Sequence, residues 1–196
     1  MASNDRSDPA PHRTRLLHGI AQAAGDKGYA DTTIADIVRE AGVSRRTFYE
    51  HFATKGECFI ALYEAANRNT LAVLREAIDP RDEWHTQLDR ALVAYLGSMA
   101  QNPALLRSLS MEILGLGAEG MAARRRVNQE LCRFMLEVVN EGSGGSRKSP
   151  LTPAMALAVV GGINELVLQA IEQGRADQLA QLAGPAGELV RAVTKA

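Results

Sequence analysis

The sequence predicts an all-α protein, and three observations carry that prediction. Apolar residues recur three and four positions apart almost throughout, no stretch alternates in the manner of a half-buried strand, and the helix formers alanine and leucine are abundant. With 196 residues, 46% of them hydrophobic, the chain can bury one sizeable core or two smaller ones. The expected organisation is a tail at residues 1–12, a three-helix head with a helix-turn-helix at 13–57, and a larger helical domain at 58–196.

Taken in order, the first helix should run from Arg13 to Lys27 and stop at Gly28, a residue suited to a left-handed cap. The second spans Thr33 to Ala41 and ends at Gly42. Ser44 starts the third, and the fourth begins at Thr54 or Lys55 and fades at Asp79 and Pro80. Longer helices follow at Asp82–Gln101, Pro103–Leu116, Glu119–Asn140, Pro153–Gln173 and Ala176–Lys195, the last interrupted by Gly184 and Pro185. Between the seventh and eighth, GSGGSRKSP offers no apolar face and reads as a flexible insertion. The tail MASNDRSDPAP has a composition of disorder and no secretory signal.

Charge and cysteine content exclude several classes. The formal net charge is −1, so contact with a nucleic acid must rely on locally placed cations. The longest apolar stretch, ALAVVGGINELVLQAI, is shorter than a bilayer span and contains Asn164 and Glu165, which argues against a membrane and for a cytoplasmic protein. Cys58 and Cys132 lie far apart with no CxxC, and no histidine pair has metal spacing, so no metal or cofactor is expected. Neither a GxGxxG nor a nucleophile elbow occurs, and no catalytic residue is assigned.

The stretch GVSRRTFYEHF, residues 42–52, carries the densest chemistry. Ser44 can accept from the free amides of the third helix's first turn, while Val43 and Phe48 form a hydrophobic staple. At about 100° per residue, Phe48 and Phe52 share the inward face. Arg46 and Glu50 point away from it, with Arg45 and Tyr49 on one flank and Thr47 and His51 on the other. That layout suits a helix in a DNA major groove, Arg46 reading a base and the flanks holding phosphates. Glu50 either accepts from a cytosine amino group or pairs with Arg46 one turn back. Thr32 and Thr33 offer hydroxyls and amides at the start of the second helix, Lys55 lies within reach of the same backbone, and Arg13 and Arg15 face backbone or minor groove.

These residues resemble the TetR, or tetracycline-repressor-like, family of transcriptional regulators. The resemblance covers roughly Arg13 to Glu64 and includes KGYADTTIADIVREAGVSRRTFYEHFATKGECFIALYE, in which the family pattern of GY, TT, I..IA..AGVS..T.Y.HF..K and LF.AL has counterparts in order. It implies an all-helical homodimer whose first three helices bind a double-stranded DNA operator and whose later helices hold a small-molecule effector. By the same resemblance Thr33, Ser44, Arg45, Arg46, Thr47, Tyr49, His51 and Lys55 fall on DNA-contact positions. One departure is that Ala23, Ala24 and Gly25 stand where the family has leucine and phenylalanine, which implies a more loosely filled head.

In the larger domain the resemblance implies a cavity but not its lining. Candidates from local pattern are Tyr95 and Met99 on the fifth helix and Leu109 and Glu112 on the sixth. Met121, Asn128 and Met135 on the seventh and Asn164 on the eighth complete the set. Arg124, Arg125 and Arg126 read as a solvated face, with an anionic effector as the alternative. The eighth helix carries an apolar face of Leu157, Val160, Val167 and Ile171, and with the ninth it is expected to form a four-helix dimer bundle. The expected function is that of a dimeric repressor released from a palindromic operator by an effector. An activator of the same fold and a helical enzyme acting on the cavity ligand are the alternatives.

Overall fold

Residues 9–79, 81–141 and 150–194 are described by the structure, a computed structural model, and they contain helices and no strand. The helices are α1 (Pro9–Asp31), α2 (Ile34–Ala41), α3 (Arg45–His51), α4 (Lys55–Ala77), α5 (Trp84–Ala100), α6 (Pro103–Glu112), α7 (Gly117–Glu141), α8 (Pro153–Glu172) and α9 (Ala183–Thr194), with 3-10 turns at Ile113–Leu116 and Leu179–Leu182. Most starts have a local cause. Thr33, Ser44, Thr54, Asn102 and Thr152 each sit just before a helix and accept, through the side chain, from the amide three residues on. Pro103 and Pro153 open α6 and α8, where a missing N–H leaves no helical bond unmade.

Three boundaries differ from expectation. α1 begins at Pro9, so part of the predicted tail is helical; residues 1–8 lie outside the described ones. Nor does α1 stop at Gly28: that residue takes φ 82° and ψ 157°, and one more turn follows the kink. The extra turn persists because its polar ends find partners elsewhere, as set out below. Pro185 falls in the first turn of α9 rather than interrupting a longer helix, since the chain from Leu179 to Leu182 is a 3-10 turn. Residues 142–149 of the glycine-serine insertion also lie outside the described ones. Its flanks are tied together, with the Leu151 amide donating to Asn140 Oδ1 at 2.8 Å and Asn140 Nδ2 donating to the Leu151 carbonyl at 3.1 Å.

Two main cores form. The first joins Leu16, Ile20, Ile37, Phe48, Phe52, Cys58, Phe59 and Leu62 and also takes in Leu109, Ile113 and Ala123 from the larger domain. Cys58, Phe59 and Leu62, just past the expected division, pack in this shared core. The second core is built on Leu74, Leu96, Leu131, Val167, Ile171 and Leu179. A looser head does not result from Ala23 and Ala24, which are 4% and 1% exposed. A Cβ on nearby Gly19 would lie 2.5 Å from the Ile37 carbonyl oxygen, so small residues bring α1 and α2 into close approach.

α8 also departs from its reading. At 20 residues, with a mean hydropathy of 1.7 over its most apolar window, it is long and apolar enough to span a bilayer, so length alone does not argue against a membrane. Its apolar surface divides two ways. Val160, Val167 and Ile171 are buried in the protomer's own core, whereas Met155 and Leu157 are exposed.

Candidate nucleic-acid interface and effector cavity

α3 is held by its aromatic side. Phe48 is 0% exposed and touches Tyr49 and Phe52 ring to ring, and Arg13 lies over the Phe52 ring at 5.5 Å. Ser44 accepts from the Thr47 amide at 3.0 Å and shares a hydrogen bond with its hydroxyl at 2.9 Å, which fixes the first turn. The turn before it depends on Gly42, at φ 60° and ψ 40°, a left-handed conformation that favours glycine. Arg45, Arg46 and Tyr49 consequently stand exposed on the outer side, with Thr47 and His51 half-buried beside them. Arg46 donates to Glu50 at 3.1 Å, the second of the two arrangements expected for that carboxylate. His51 meets His12 edge to face, centroids 6.5 Å apart, bringing the start of α1 beside the end of α3.

Several predicted contact residues have other occupations. Arg15 donates from Nε to the Ala41 carbonyl at 2.9 Å and from Nη2 to that of Gly42 at 2.5 Å, so it braces the corner of the helix-turn-helix instead of extending toward a groove. Thr32 is buried and donates to the Gly28 carbonyl at 2.7 Å. Thr33 caps α2 in a reciprocal box with Asp36: the Thr33 amide and hydroxyl donate to Asp36 Oδ2 at 2.9 and 2.6 Å, while Thr33 Oγ1 accepts from the Asp36 amide. The anion place at this helix start is thus partly taken by the protein's own carboxylate. Lys27 at 2.6 Å and Arg39 at 3.1 Å flank it, and the hydrogen bonds from Lys27 and Thr33 hold Asp36 well below the usual carboxylate range. The pattern T-x-x-D could have signalled it.

Lys55 is the clearest correction. Its Nζ donates to the carbonyls of Tyr29 and Thr32 at 2.8 Å each and of Ala30 at 3.3 Å, and stands over the Tyr29 ring at 4.1 Å. Desolvation depresses its pKa. An ammonium with all three donors directed at carbonyls is not extended toward a phosphate. Its role is to cap the turn that follows Gly28. Glu112, predicted for the cavity, grips the other end of that turn by accepting from the Tyr29 and Ala30 amides at 3.0 and 3.1 Å. A turn of the head is therefore held between the first residue of α4 and the last of α6. Neither role shows in local spacing, since the partners are separated by 23 and more positions.

Above this joint lies a cavity of about 420 Å³ between α4, α5, α6, α7 and α8. The sequence candidates Tyr95, Met99, Leu109, Asn128 and Asn164 line it, and Asn164 Nδ2 donates to Asn128 Oδ1 at 3.2 Å. Asn67, Asn69 and Asn102 also contribute, none of them singled out as a cavity residue in the sequence, and so does Arg124, for which an anionic effector was the alternative to a solvated face. Met135 lines a separate apolar cavity of about 110 Å³ with Trp84, Leu88, Leu92 and Phe134, and Tyr95 and Leu131 border both spaces. Burial pushes the Tyr95 phenol up to about 12, so it is neutral at physiological pH. Met121 lines neither space. It is exposed near the start of α7.

A helix-turn-helix head presenting one cationic, hydroxylated helix side, clamped to a helical body with an internal chamber, defines the class of helix-turn-helix regulators. Residues 16–62 match the sequence profile of the bacterial regulatory proteins of the tetR family. It is 26% identical over 156 residues to the nucleoid occlusion factor SlmA of Marinomonas sp. (strain MWYL1), covering 80% of this chain and 77% of that protein. Among solved structures it is similar to the transcriptional regulator FadR from Bacillus subtilis in complex with stearoyl-CoA, with a TM-score of 0.76, 18% identity and coverage of 90% and 96% of the two chains. The fatty acid degradation regulator FadR from Bacillus halodurans gives a TM-score of 0.73 at 17% identity, covering 92% and 94%. At these identities the structural likeness concerns the fold.

Proposed function

We propose that the chain is a sequence-specific DNA-binding transcriptional regulator that acts as a homodimer and leaves a palindromic operator when a small molecule enters the larger cavity. The observation that carries this reading is the orientation of α3, with Phe48 and Phe52 turned inward and Arg45, Arg46 and Tyr49 exposed along one side of a capped helix. Arg46 reads a base edge, and Tyr49, Thr47 and His51 hold the phosphate walls. Two such helices, one from each protomer, enter successive major grooves roughly 34 Å apart.

The exposed Met155 and Leu157 of α8, close to the outward-facing Gly161, support a dimer face on that helix, completed by α9. The stearoyl-CoA complex of the similar FadR supports an effector-responsive regulator. Leu109, Ser110 and Ile113 line the cavity within a turn of Glu112, so a ligand that displaces α6 moves the grip on the head. Such a ligand shifts the equilibrium only by its differential affinity for the two states, roughly 1–3 kcal/mol in typical allosteric proteins. The matched family and the similar FadR proteins are regulators, which supports this reading over an enzyme and accords with a cytoplasmic location.

The test is selection of bound sequences from a random DNA pool, followed by titration of the selected site. Arg46→Ala should lose about 1–3 kcal/mol of preference at one base pair, whereas Tyr49→Phe should weaken all sequences alike and leave the salt slope unchanged, because its neutral hydroxyl releases no counterion. A pool that yields no enriched sequence, or two variants indistinguishable from the parent, would overturn the assignment.

A further inference from the structure

The larger cavity has a lopsided electrostatic lining. Arg124 is the one charged side chain among the described residues that line it, and no aspartate or glutamate is among them. The nearest acids have partners within the protein, Glu130 through Asn67 of the cavity wall and the others away from it. Glu64 pairs with Arg126 at 2.7 Å, Glu130 accepts from Asn67 at 2.7 Å, and Glu112 accepts from the turn after Gly28. Among the described residues Arg124 has no salt-bridge partner, although its positive charge acts on the Tyr63 phenol, another lining group. One turn along α7, Asn128 lines the same wall and is joined to Asn164. A cation facing a partly closed space without a counter-charge is the arrangement that an anionic group completes.

The apolar end is equally specific. Beyond Tyr95 and Leu131, the 110 Å³ space is walled by Leu88, Leu92, Phe134, Met135 and Ile163, apolar throughout and partly open. A flexible aliphatic chain end suits such a space.

We propose that the cavity binds a single-headed aliphatic anion, its carboxylate-like head on Arg124 and the Asn128–Asn164 pair and its tail directed past Tyr95 toward the apolar space. This deepens the reading of the larger domain as an effector chamber and rests on it. The fit of ligand to site is charge at one end and hydrocarbon at the other, with the asparagine amides donating to head-group oxygens that Arg124 leaves free.

Trp84, the chain's sole tryptophan, lines the apolar space and reports its filling without a label. The experiment titrates the full chain, without DNA, with decanoate, 1-decanol and benzoate while following Trp84 emission. Decanoate should saturate at a concentration at least tenfold below that of 1-decanol, because the alcohol lacks the charge. Benzoate should leave the emission unmoved. Arg124→Gln should bring decanoate and 1-decanol within about twofold of each other, and Arg124→Lys should retain a preference for decanoate. Equal binding of the two aliphatic ligands to the parent protein, no response to decanoate, a response to benzoate, or discrimination that survives Arg124→Gln would each overturn the proposal. The parent comparison decides even if a variant fails to fold. Operator binding is read separately: loss of ligand discrimination with sequence-selective DNA binding intact removes this site alone, whereas decanoate binding by a protein that selects no DNA removes the regulator reading instead.

Discussion

The head and the body of this molecule differ in what their polar side chains face. In the head they face the protein's own backbone or one another: Ser44 binds Thr47, Thr33 binds Asp36, Arg15 braces the corner at Ala41 and Gly42, and Lys55 is folded onto the carbonyls after Gly28. In the body, Asn102 caps α6 and Asn128 bonds Asn164, yet these side chains also line a chamber together with Asn69 and Arg124, and part of their bonding capacity is turned to it. The first arrangement is complete in itself and yields a rigid part that presents α3 in one orientation. The second is completed only by something that enters. A regulator needs both, because a soft reading helix would lose its register and a chamber already satisfied would have no use for a ligand.

The contrast can be broken most severely at the head's aromatic anchor. Phe48→Ala should cost about 3–5 kcal/mol, the usual loss for a fully buried aromatic, and thermal melting should show it as loss of the whole head. A cost under about 1 kcal/mol would mean that α3 is held by its caps rather than by its buried side.

A smaller change tests whether head and body are joined where Glu112 grips the turn. Glu112→Ala removes an acceptor from two amides and should cost about 1–2 kcal/mol, with the loss appearing as faster hydrogen exchange at Tyr29 and Ala30. Unchanged protection at those amides would dissolve the joint.

The least effect concerns acid. Because the Asp36 carboxyl is depressed by Lys27 and Thr33, its contribution to stability is present above the unfolded aspartate value near 3.9 and is lost as pH falls through the lower folded one. The melting temperatures of the parent and Asp36→Asn should therefore differ at pH 7 and converge in strong acid. A constant gap across that range would show that the carboxylate's charge contributes nothing.

How much of this was legible in the sequence follows from the distance over which each feature is decided. The orientation of α3 rests on a cap, a staple and two phenylalanines within ten residues, and helical spacing alone reveals it. The fates of Lys55 and Glu112 depend on how α4 and α6 meet the kink at Gly28, which no local pattern encodes. The cavity lies between. Tyr95, Asn128 and Asn164 could be picked because polar groups amid apolar neighbours at one-turn spacing must face something, whereas Met121 could not be rejected, since a methionine suits a surface and a lining equally well. The apolar residues of α8 divide between the protomer's interior and its outside, and a single stripe on a wheel does not say which.

Tyr95 borders both internal spaces with a side chain, not a stretch of main chain, and that has an evolutionary consequence. A rotation about one bond, or one substitution by a smaller residue, would widen the way between the two rooms and change the guest that fits. Descendants of this protein could thus retune what they sense without rebuilding the walls.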